Sequence, residues 1–171
     1  ENIRTLTEDH RNPDVLYVGT ETGIFLTLDR GNSWRRLRAN LPTVRVDEIT
    51  LHERDNAMIV ATHGRALFIL DHLEPIQQYE SARMENAQLF SIPTALQFKR
   101  MDDRNDEFWG HQYFVGENPP AEALVQYYLD DDVEELSLRI SDASGNVVRE
   151  LVAPESRRQP GIRTMCWDQR V

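Results

Sequence analysis

"VLYVGTETGIFLTLD" (Val15–Asp29) and "AMIVATHGRALFILD" (Ala57–Asp71) are two versions of one pattern. Each is a short apolar strand closed by Thr, a turn containing Gly, a second apolar strand and a final Asp. Runs of five or six residues rich in Val, Ile, Leu and Phe, punctuated by Gly, Asn or Asp, predict antiparallel β-meanders. The copies start 42 residues apart, at Val15 and Ala57.

Further strands flank both copies. Ile3 to Thr7 alternates briefly and leads into the turn Arg11–Asp14, with Pro13 in a natural turn position. "WRRL" follows the first copy, and "EITLHE" (Glu48–Glu53) precedes the second. A period of ~40–45 residues with about four strands per unit is the spacing of β-propeller blades. A repeated hairpin within a sandwich would share the pattern.

The 171 residues suffice for one medium domain or two small ones, and 40% hydrophobic content is enough to bury a core. Net charge is −10, from 29 acidic residues against 19 Lys and Arg. Repulsion from phosphate backbones makes nucleic acid or an anionic membrane a poor partner. Arg35-Arg36 and Arg157-Arg158 are pairs rather than basic runs. The single Cys166 excludes an internal disulfide and any multi-cysteine zinc site. No apolar stretch approaches the ~18 residues of a membrane span. The opening at Glu1 reads as mid-domain sequence, so a fragment of something longer is expected, with functional residues outside it.

After residue 72 the character changes. Residues 79–110 read as a connector: a short helix near Ile76–Arg83, then charged and turn-rich sequence, packing down at Leu89-Phe90 and at Phe108-Trp109. Strands return at Leu124–Leu129, Glu135–Asp142, Val147–Val152 and Gly161–Gln169. Leu136, Leu138 and Ile140 alternate with Ser137, Arg139 and Ser141, which predicts one buried and one wet face. Gly145 supplies a positive φ to the "ASGN" hairpin. Four strands fall short of the roughly seven of an immunoglobulin-like sandwich. Either the chain stops inside this domain or the connector supplies more strands, and the end just after Trp167 favours truncation.

Thr27, Asp29, Gly31 and Trp34 fit the Asp-box pattern Ser/Thr-x-Asp-x-Gly-x-x-Trp at every defined position. Asp29 is expected to accept backbone N–H bonds from its own loop, Gly31 to supply a conformation other residues resist, and Trp34 to fold its ring onto the blade. In families with such boxes, sialidases and sortilin-type propellers among them, the box sits on the periphery. That makes it scaffold, with no catalytic residue.

The stretch from Pro13 to Gln78 resembles the last blades of large bacterial Asp-box proteins of the sortilin-like or glycosyl-hydrolase-like repeat type. "GENPPAEALVQYYL…SLRISDASGNVVRELV…PGIRTMCWD" is similar to the immunoglobulin-like domain that follows those propellers, a type also resembling that of the flagellar hook-capping protein. The resemblance implies an extracytoplasmic, periplasmic or secreted, location. Two departures stand out. Ala66 replaces Gly or Ser in the family's "THGRG" or "THGRS", and Cys166 replaces an aliphatic residue.

His63 and Arg65 lie in a turn that would edge the central channel of a propeller, where ligands bind. Arg65 could meet a carboxylate or sulfate with its planar fork, or pair with Asp71 or Glu48 to lock the blade. His63 has no His or Cys at usable spacing, so no metal site is read there and no cofactor is expected. A glycosidase needs two carboxylates across a substrate. Asp47, Glu48, Glu53 and Asp55 are available, but they lie on turns and strand ends. The acidic groups at 102–106 and 130–135 lack the spaced ligands of a calcium loop. Cys166 reads as a buried small residue.

The expected architecture is all-β: propeller blades over residues 1–78, a connector over 79–110, and an immunoglobulin-like domain over 111–171, incomplete if the chain stops within it. The expected role is a non-catalytic binding and scaffold region of an exported bacterial protein, contacting a polypeptide or a glycan and the remaining blades. One alternative is the supporting wall of a glycoside hydrolase whose carboxylates lie mostly elsewhere. The other is a purely structural spacer.

Overall fold

The computed structural model describes residues 2–96 and 122–170. The regular structure of the described chain is mostly strand, arranged in antiparallel sheets, so the all-β expectation holds. A first, four-stranded meander comprises β1 (Ile3–Glu8), β2 (Leu16–Thr20), β3 (Ile24–Thr27) and β4 (Arg35–Leu37), paired in chain order. A second meander comprises β5 (Val46–His52), β6 (Ala57–Thr62) and β7 (Leu67–Leu70).

The repeat seen in the sequence is a repeat of pairing. Leu16, Tyr17, Val18 and Gly19 face Thr27, Leu26, Phe25 and Ile24. Met58, Ile59, Val60 and Ala61 face Leu70, Ile69, Phe68 and Leu67 in the same order. The two sheets stack face to face. Val15, Tyr17, Ile24 and Leu26 of the first meet Val46, Ile49, Met58 and Val60 of the second, with Leu73 closing the cluster. Strand side chains alternate between faces, so each sheet also has an outer face. Leu67 and Ile69 stand there 64% and 65% exposed on the second sheet, and Leu6 stands 62% exposed on the first. The sheets approach closely at Gly19, where a Cβ would lie 2.8 Å from Val46 Cγ1 of the second sheet and 2.7 Å from Thr5 Cγ2 of its own.

Some boundaries differ from the sequence reading. β3 ends at Thr27 rather than Asp29, because the Thr27 hydroxyl accepts the Asp29 and Gly31 N–H groups and turns the chain. The helix expected near 76–83 is two single turns, α1 (Glu74–Gln77) and α2 (Tyr79–Ala82). The Gln77 carbonyl accepts the Asn12 side-chain amide at 2.7 Å instead of an N–H one turn on, which interrupts the helix.

The connector also carries β8 (Ala87–Leu89), which joins β9 (Ala123–Leu129) and β12 (Gly161–Trp167) in the order β12-β9-β8. β10 (Ser137–Ser141) and β11 (Val147–Val152) form a hairpin whose Gly145 has φ 87°. The hairpin packs on that sheet through Leu136, Leu138 and Leu151 against Tyr127, Leu129 and Met165. Of the connector's expected anchors, Phe90 is buried beside Ala82 and Tyr128, whereas Leu89 stays half exposed. Phe108 and Trp109 lie outside the described residues. Cys166 is exposed, not buried: Met165 takes the inward position on β12, and its neighbour must point out.

Candidate functional site

Asp29 sits at the β3–β4 end of the first sheet, and its carboxylate is fully engaged by its own loop. Oδ1 accepts the Ser33 N–H at 2.8 Å and the Thr27 hydroxyl at 2.7 Å, and Oδ2 accepts the Ser33 hydroxyl at 2.5 Å. These donors, Ser33's hydroxyl first, pull the Asp29 pKa down to about 2. Gly31 adopts φ 91°, and the Trp34 indole N–H donates to its carbonyl at 3.2 Å. Trp34 lies over this glycine immediately before β4 and remains 42% exposed, so it braces the loop and contributes little to the core. Arg30 pairs with Asp14 of the β1–β2 loop. Nothing in this arrangement leaves Asp29 available to a substrate.

The opposite end of the two sheets differs. Antiparallel pairing brings the start of β1 to the end of β2, and the start of β5 to the end of β6. The β2–β3 and β6–β7 turns therefore share this rim. Both are closed alike: Thr20 donates its N–H and hydroxyl to the Gly23 carbonyl, and Thr62 donates both to the Ala66 carbonyl. The second turn is one residue longer, with Gly64 at φ 79° and Ala66 at φ 57°.

Charged groups populate this rim mostly as pairs. Arg4 bonds Glu21, and Arg36 donates to the Thr22 carbonyl at 2.7 Å. Arg45 Nε donates to Asp47 Oδ1 at 2.7 Å, and the other Asp47 oxygen lies 3.5 Å from His63 Nδ1. The hydrogen bond from Arg45 holds Asp47 below the usual carboxylate range, and the same bond raises Arg45. The His63 N–H donates to the Arg45 carbonyl at 2.9 Å, so backbone bonding fixes the cluster.

Arg65 is the exception. It is exposed and forms no ion pair or hydrogen bond with a described residue. The expected alternative pairing with Asp71 or Glu48 does not occur. The anion partner on this rim is Asp47, and it goes to Arg45 and His63. The sequence reading missed Arg45 as a site residue; its spacing of two from Asp47 on a strand was the available signal.

Two of the candidate glycosidase carboxylates, Asp47 and Asp55, are tied up in ion pairs. Asp47 is held by Arg45, and Asp55 accepts two bonds from Arg54 at 2.8 Å, with His52 at 3.2 Å. Both have lowered pKa values, whereas a general acid needs a raised one. No group of three or more His, Cys, Asp or Glu suited to a metal ion occurs among the described residues, and no described helix is long and apolar enough to cross a membrane.

A buried polar cluster absent from the sequence reading joins the two sheets. Asp9 accepts the Arg11 and Asn12 N–H groups at 2.8 and 3.0 Å, the Tyr17 hydroxyl at 2.9 Å and the Gln77 amide at 3.0 Å. Burial, with Asp9 behind it, raises the Tyr17 pKa far above its ordinary value. Arg11 reaches Glu74 at 3.3 Å. This cluster fastens α1 to both sheets and is structural.

No family model, curated protein or solved structure matches the chain.

Proposed function

We propose that the chain is a non-catalytic binding and scaffold region, with its rim at Arg65 contacting an acidic group of a polypeptide or glycan. The single observation behind this reading is the exposed Arg65 guanidinium, engaged by no described residue, on a rim whose other charges are largely neutralised by one another. A planar fork with several donors suits a carboxylate or sulfate, and neighbouring pairs hold the turn without competing for it.

The first two sheets are read as propeller blades. Their support is the 42-residue repeat, the matching strand pairing and the apolar outer faces left at both ends of the stack. A repeat that buries one face and exposes the other invites further copies on either side. The C-terminal sheets are read as an immunoglobulin-like sandwich, and the exported bacterial setting rests on the sequence resemblance described above.

The test is binding of a sulfated oligosaccharide, its desulfated form and an acidic peptide to the native chain and to Arg65→Ala. Retention of an anionic probe that falls about tenfold or more in the variant, the effect of losing one charge-assisted contact, supports the reading. Equal binding by both proteins, or none by either, overturns it.

A further inference from the structure

The C-terminal sandwich has unequal layers. Its lower sheet has three strands, β12-β9-β8, and its upper layer is the β10–β11 hairpin. Cross-strand pairing sets Leu89 opposite Tyr127 and Ala87 opposite Leu129, so β8 turns these side chains into the same layer as the core. Yet Leu89 is 50% exposed, because the hairpin covers β9 and β12 but stops short of β8.

An apolar groove of about 200 Å³ remains, lined by β8, β9, Met165 and residues 136–138 at the start of β10, with nothing from β11. Among the described residues, β10 pairs with β11 alone and β8 with β9 alone. Two strands with a free edge therefore border one groove, each offering unpaired backbone donors and acceptors. A third upper strand would fill this place.

The groove also has a charged end. Leu129 and Leu136, both in its lining, are the immediate neighbours of the run Asp130-Asp131-Asp132-Val133-Glu134-Glu135. None of these five carboxylates forms an ion pair with a described residue. Asp130 accepts only a hydrogen bond from the Tyr128 hydroxyl, at 3.2 Å.

We propose that this groove docks an extended segment of a partner polypeptide as an added strand. The segment would carry alternating apolar side chains and Lys or Arg at the end meeting residues 130–135. Backbone bonds to a free edge supply affinity, Leu89 and its neighbours receive every second side chain, and the acidic run selects the charge of the flank. This inference is independent of the rim and of the propeller reading.

The test uses three fluorescein-labelled peptides with the native chain. They are Lys-Lys-Thr-Val-Thr-Val-Thr-Val, the same peptide with Glu-Glu at its start, and one with Pro replacing the central Val. The expected result is saturable anisotropy change with the first, about tenfold weaker binding of the second, and a marked loss at about 0.5 M salt. Pro should abolish binding by removing a backbone donor.

Leu89→Arg fills the groove from an exposed position, so it should weaken binding about tenfold while leaving the circular dichroism unchanged. Leu89→Ala, which keeps the edge open, should bind more strongly than Leu89→Arg. Equal binding of the Lys and Glu peptides, no binding of any, or binding indifferent to Leu89→Arg overturns the proposal. So does a groove already occupied, by residues 97–121 in cross-linking to position 89 or by a second copy in a concentration-dependent mass.

Discussion

Asn56 and Gln77 exchange a reciprocal pair of side-chain hydrogen bonds inside the protein. Asn56 Nδ2 donates to Gln77 Oε1 at 3.0 Å, and Gln77 Nε2 donates to Asn56 Oδ1 at 2.8 Å. Gln77 Nε2 also reaches both Asp9 oxygens, so one amide links the turn after β5, the loop after β1 and helix α1. Gln77→Ala would leave buried polar groups unsatisfied on both sheets, and should lower the unfolding free energy by about 3 kcal/mol in urea denaturation. Tyr17→Phe removes one of Asp9's donors and should cost less, about 1–2 kcal/mol. A Gln77→Ala loss no larger than that of Tyr17→Phe would show that the amide is not the junction.

The Asp29 loop predicts a pH dependence with a definite sign. Its folded pKa of about 2 lies below the ordinary carboxylate value of roughly 4, so the charged form is favoured by folding. The resulting stabilisation is fully present above the ordinary value and is lost as pH falls toward about 2. Carbon-detected NMR titration should place the Asp29 midpoint well below that of an exposed aspartate. Ser33→Ala, which removes the largest donor, should move it upward.

Gly19 and Gly64 respond to different constraints. Gly19→Ala drives a methyl into Thr5 and Val46 at the sheet interface, an overpacking that should cost about 1–3 kcal/mol. Gly64 faces open space but has φ 79°, so Gly64→Ala carries backbone strain alone, about 1 kcal/mol. Chemical denaturation should rank Gly19→Ala as the more damaging.

The outer face of the second sheet predicts association. Replacing Leu67 and Ile69 together with Ser removes apolar side chains already mostly in water, so stability should change by no more than about 0.5 kcal/mol per site. Light scattering should show less self-association than in the native chain. Unchanged scattering would mean that this face does not carry the contact.

The strands were legible wherever the side chains that mark them are local. Alternation in "ELSLRISD" and the paired meanders gave β10, β2, β3, β6 and β7 within a residue or two. Strand β5 starts earlier than it reads, at Val46, because Val46 is buried against the first sheet and Asp47 looks like turn material. Strand β8 is illegible alone. "AQL" is three residues without β-branching, and its pairing with β9 makes it a strand. Arg65 reads as a partner for Asp71 or Glu48 but pairs with neither; the ion pairs beside it run from Asp47 to Arg45 and His63.

The sequence by itself determined the hairpins, their 42-residue repeat and the bonding of the Asp29 carboxylate, whose hydrogen bonds span at most four residues and form from local chain geometry. The tertiary structure decided the rest. Which polar groups share the buried junction at Gln77, which rim cation has no partner among the described residues and where the C-terminal groove opens all depend on contacts between distant segments. Gln77 meets Asp9 across 68 residues, and no local pattern encodes such a pairing, because it becomes favourable only once the stacked sheets exclude water from both groups.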